Sequence, residues 1–147
     1  MEYLVVLIAV LVLAGSISIA IPSKASRKIS KLRMEAKLLG CKILSTLYGE
    51  NKFKNNNSNS VIYQIKNLTT IKEAHFIRDN DQLILYSPVK LKFSDNFELI
   101  NGKLNGVSNS IEEIIFSNAS ISFLWKELEG LEELKIILIK LDELKNL

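Results

Sequence analysis

Two hydrophobic rules divide the chain. From Tyr3 to Ile21 all nineteen residues are uncharged, nearly all Leu, Val, Ile or Ala, and no polar stripe interrupts them. As a helix rising 1.5 Å per residue, such a run spans about 29 Å, the thickness of a bilayer's hydrocarbon core. A core helix of this length would need a polar side for water. Residues 1–22 are therefore expected to be a transmembrane anchor. After Pro22 the period changes. Ile29, Leu32, Ala36 and Leu39 recur at i, i+3, i+7 and i+10, the spacing of one helical face, and Gly40 is a natural stop. Residues 23–40 read as a basic juxtamembrane helix.

Beyond Gly40 the pattern shortens towards strands. Cys41–Leu47 alternates loosely, and the Asn-rich stretch within Gly49–Ser60 has no period and reads as a loop. Val61–Lys66 has strand composition. His75–Arg78 and Gln82–Ser87 flank Asp79-Asn80-Asp81 as a hairpin. Val89, Leu91 and Phe93 alternate with Lys90 and Lys92, which predicts a half-buried strand. Asn101-Gly102 between apolar residues predicts a second hairpin turn. Ile111–Phe116 and Ala119–Lys126 predict two more strands joined at Ser117-Asn118. Leu131, Leu134, Leu138 and Leu141 predict a helix from Gly130 to Asn146. The expected fold is α+β: a small antiparallel sheet covered by the C-terminal helix, occupying residues 41–147.

Charge adds a direction to this layout. The net charge is only +3, yet six Lys or Arg fall between Lys24 and Lys37 against one acid, Glu35. No Lys or Arg precedes the apolar run, where a signal peptide carries its positive end, so the small-x-small step Ser18-Ile19-Ala20 is not expected to be cleaved. Positive residues stay on the cytoplasmic side. The expected topology has the N-terminus outside, one span of the inner membrane, and a cytoplasmic C-terminal domain. Lys24, Arg27, Lys28, Lys31 and Arg33 are the basic residues expected to face anionic lipid. The helix that carries them would lie on the bilayer or dock its apolar stripe on the domain behind it. Outside this cluster the chain is slightly acidic, which argues against nucleic-acid binding.

Chemistry-bearing residues are sparse. The single cysteine, Cys41, excludes an internal disulfide. His75 is the only histidine, and with Cys41 it leaves too few ligands for a structural zinc site. Glu112 and Glu113, adjacent on a strand, would point to opposite faces. No phosphate-binding glycine loop is present. No catalytic residue, cofactor or metal is expected. Trp125, the only tryptophan, is either sheet core or an aromatic anchor for a partner. Asn67 and Asn118 match the glycosylation pattern, relevant only to a lumenal domain.

The order of parts resembles small single-span bacterial inner-membrane proteins grouped as YajC-like accessory subunits of the preprotein translocase. The matching parts are Pro22-Ser23, the basic helix Arg27–Lys37, Leu39-Gly40, Trp125-Lys126-Glu127 and the helix Gly130–Asn146. The Gly-Asp strand and Gly-Gly-Ile-x-Gly turn of the translocase subunit are replaced here by Gly40-Cys41-Lys42 with no such turn. The resemblance implies an auxiliary role beside a membrane complex and brings no catalytic residue. The functional expectation is a membrane-anchored, non-enzymatic protein that binds the lipid bilayer and another membrane protein. An anionic-lipid-binding module and a membrane-tethered enzyme are the alternatives.

Overall fold

The computed structural model describes residues 1–44, 52–55 and 59–147, in two compact units, 1–31 and 32–147. The first unit contains α1 (Glu2–Ala20), 19 residues with no buried side chain, at the start of a helical stretch whose most apolar 18-residue window has a mean hydropathy of 3.0. This helix is long and apolar enough to cross a membrane. Its two serine hydroxyls are satisfied within the helix. Ser16 donates to the carbonyls of Val12 and Leu13, and Ser18 donates to that of Ala14. Back-bonding of this kind removes the need for water.

The second unit begins inside α2 (Lys24–Leu38), not at Cys41. The helix ends in a Schellman turn: the N–H of Cys41 donates to Ala36 and that of Gly40 to Lys37. Gly40 sits at φ +90, a conformation glycine reaches without a Cβ clash. The chain then builds β1 (Lys42–Leu44), β2 (Val61–Lys66), β3 (Ala74–Asp79), β4 (Gln82–Ser87), β5 (Ile111–Phe116) and β6 (Ser120–Trp125). They form one open sheet in the order β1-β2-β6-β5-β3-β4, antiparallel throughout. The expected strand Cys41–Leu47 is present as β1; residues 45–47 lie outside the described residues, as do 49–51 and 56–58 of the expected loop. The β3–β4 hairpin turns at Asn80-Asp81, with Asn80 at φ +53.

One sheet face carries the main core. Tyr63, Phe76, Ile114, Phe116, Phe123 and Trp125 meet Leu32 and Ala36 of α2, Ile100 and Leu104 of α3 (Phe97–Asn105), and Leu134, Ile137 and Leu141 of α4 (Leu131–Asp142). The apolar stripe of α2 is thus docked at Leu32 and Ala36, while Leu39 stays exposed. The other face carries a smaller cluster of Phe53, Ile62 and Leu124, with Ile115 against it.

Two sequence expectations are corrected. Val89–Phe93 is a 3-10 turn, not a strand. It follows the edge strand β4 and pairs with no strand among the described residues; Leu91 packs against the core while Val89 and Phe93 face outward. Asn101-Gly102 lies in the middle of α3, not in a hairpin. Phe97, Ile100 and Leu104 share a helical face on the sheet, and their burial outweighs the turn preference of Asn-Gly.

Candidate functional site

The five basic residues do not act as one set. Lys24, Arg27, Lys28 and Lys31 are exposed and fall at i, i+3, i+4 and i+7, one stripe of a helix. At 100° per residue, Arg33 lies about 180° from Lys24, outside that stripe. It closes a bidentate pair with Glu127, from Nε to Oε1 at 2.7 Å and from Nη2 to Oε2 at 2.8 Å. Glu127 is buried just before α4, and Tyr63 donates its hydroxyl to the same carboxylate at 2.8 Å. The hydrogen bond to Glu127 raises the Arg33 pKa, and burial with that carboxylate beside it raises that of Tyr63. Arg33 is therefore part of the domain's own structure, which corrects its place among the lipid-facing cations. Sequence spacing held no such signal, since on the helical wheel Lys28 lies as near the apolar stripe as Arg33 does.

A second polar cluster lies under the opposite sheet face. Glu113 is fully buried. A β-bulge between Ile111 and Glu113 keeps Ile111 and Ile114 both in the main core and so leaves Glu112 and Glu113 together on the other face, which corrects the expectation that adjacent residues would point apart. Glu113 accepts at Oε2 from the Lys54 N–H at 3.0 Å and from His75 Nε2 at 2.8 Å, and at Oε1 from the Asn55 N–H. Glu112 instead accepts from Ser60 Oγ at 3.0 Å and pairs with Lys126 at 3.6 Å. His75 is also held edge-on by Tyr86, whose ring lies beneath the Lys54 ammonium at 5.5 Å.

A carboxylate that orients an imidazole is half of a nucleophilic triad. Among the described residues no hydroxyl or thiol hydrogen-bonds to His75, and no group of His, Cys, Asp and Glu is arranged to hold a metal. Cys41 is far away. It precedes β1, and β2, β6 and β5 stand between β1 and the β3 strand of His75, about 19 Å at the usual strand spacing. Burial pushes the Cys41 thiol up to about 11, so at neutral pH it is a small apolar group rather than a nucleophile.

Trp125 is fully buried. Its indole donates to Ser110 Oγ at 2.9 Å, and its ring meets Tyr63 edge-to-face at 5.1 Å. It is core and offers no surface to a partner. Asn67 is likewise occupied, donating to the carbonyls of Ile71 and Ser117, whereas Asn118 is exposed at the β5–β6 turn. The sequence reading missed the Glu113–His75 pair because its members are 38 positions apart and meet only through β3–β5 pairing.

No protein family, no curated protein and no solved structure matches this chain.

Proposed function

We propose that the chain is a single-pass protein of the inner (cytoplasmic) membrane, N-terminus outside, whose cytoplasmic domain docks another membrane protein as a non-enzymatic accessory component. The observation that carries this reading is α1: nineteen helical residues, none buried, followed by six Lys or Arg between Lys24 and Lys37 against one acid. The non-enzymatic reading draws support from Glu113, whose two oxygens are engaged by two main-chain N–H groups and His75. Docking draws support from apolar side chains left in solvent on and before α4, namely Leu128, Ile136 and Ile139. In intact cells an impermeant amine reagent should spare Lys66 and Lys126. Labelling of either without lysis overturns the topology, and a mature chain starting after Ala20 overturns the anchor. Cross-linking in intact membranes followed by purification should recover one stable partner; recovery of this chain alone overturns the docking role.

The stripe Lys24, Arg27 and Lys28 favours a second reading, an anionic-lipid contact of about 1 kcal/mol per cation near the surface. The full chain in nanodiscs should resist trypsin at Arg27 and Lys28 when the bilayer is anionic and lose that protection in a neutral one. Equal cleavage in both removes this reading.

A further inference from the structure

Residues 52–55 run across the sheet face opposite α4, and the holds on them come from β2, β6, β5 and β4. Phe53 is buried against Ile62 of β2 and Leu124 of β6, with Ile115 of β5 beside them. The next two N–H groups both end on Glu113 of β5. The Lys54 ammonium sits over Tyr86 of β4. Glu113 has no solvent exposure and meets three donors, so in its ionised form its two oxygens replace water only while the 52–55 backbone is in place.

We propose that residues 52–55 are a strap latched by the Glu113 carboxylate, and that the strap opens as a local unit while the helix-side core stays folded. The two hydrophobic clusters are separate, since the sheet lies between them. Lifting the strap breaks, among the described contacts, the Phe53 packing, two charge-assisted hydrogen bonds and the Lys54–Tyr86 contact, few beside those of the helix-side core. It uncovers an apolar surface of Ile62, Leu124 and Ile115 bordered by the Glu113–His75 pair.

The test uses Glu113→Gln in the full chain held in nanodiscs. The substitution keeps the shape but exchanges one acceptor oxygen for a donor NH₂, which must face the Asn55 N–H or the Lys54 N–H and His75. Hydrogen exchange at the Lys54 and Asn55 amides should accelerate about tenfold or more, the equivalent of losing one charge-assisted hydrogen bond. Trypsin should cut first after Lys52 and Lys54, read by mass spectrometry. Trp125, buried in the other core, reports whether that core holds, and its emission should not change. Phe53→Ala, which leaves the carboxylate intact, should produce the same local opening through loss of the apolar hold. Unchanged exchange and cleavage in both variants overturn the latch. A shift of Trp125 emission in step with cleavage overturns the local opening, because the strap would then move only with the whole domain.

Discussion

Glu127 and Cys41 show how burial sets what a side chain does. Glu127 is stable inside because Arg33 presents a planar fork to both oxygens and Tyr63 adds a third donor. Arg33→Ala leaves that carboxylate buried and unpaired. A fully buried pair would lose about 3–5 kcal/mol, but the half-exposed guanidinium is screened by water, so about 2 kcal/mol is expected in urea unfolding. Arg33→Lys keeps the charge without the fork and should recover less than half of the loss. Cys41 behaves as a thiol buried among apolar groups. It should resist iodoacetamide at pH 8 in the native chain and react once the chain is unfolded in urea. Its pKa rises from 9.0 to about 11 on folding, so the unfolded state sheds its proton first. Its contribution is complete below about pH 9 and is lost as the pH climbs to about 11, at a slope near 1.4 kcal/mol per unit. Cys41→Ala should flatten that slope relative to the native chain; an identical slope would assign it to other groups.

At the scale of elements, the competition between local signal and tertiary contact is clearest in α3. Asn101-Gly102 is a strong turn signal, yet Phe97, Ile100 and Leu104 recur with a helical period and find the sheet. Gly102 has open space where a Cβ would be and a helical neighbourhood. Gly102→Ala should therefore stabilise the domain by about 0.5–1 kcal/mol, measured by chemical denaturation. A hairpin turn at this position would instead be destabilised by the same change. The alternation in Val89–Phe93 was equally regular, but the segment pairs with no strand among the described residues and turns so that Leu91 alone packs against the core. Where pattern and partner agreed, as in β2 through β6, the strands lie where the residues suggested to within two positions at either end.

For the molecule as a whole, the boundary of the folded unit has consequences. Leu32 and Ala36 belong to the main core, and Arg33 neutralises Glu127, so the domain cannot be cut at Gly40 without damage. A chain starting at Ser23 should unfold cooperatively. One starting at Cys41 loses a buried Leu, a buried Ala and the Glu127 partner, about 5 kcal/mol together and comparable to the total stability of a small domain. Thermal unfolding followed by Trp125 emission would show it; equal midpoints for the two chains would mean that α2 adds nothing to the fold.

The amino-acid sequence by itself determined the apolar helix, the basic helix with its stop at Gly40, the α+β class and the terminal helix. Each of these rests on a period or a local conformational preference that neighbours along the chain set. Only the tertiary structure decided that Arg33 turns to Glu127, that Glu113 and His75 meet beneath residues 52–55, that Trp125 is interior, and that an Asn-Gly pair is helical. Those outcomes depend on what lies across the sheet or on the facing layer. Burial and desolvation there outweigh the few tenths of a kilocalorie by which a local preference leans one way.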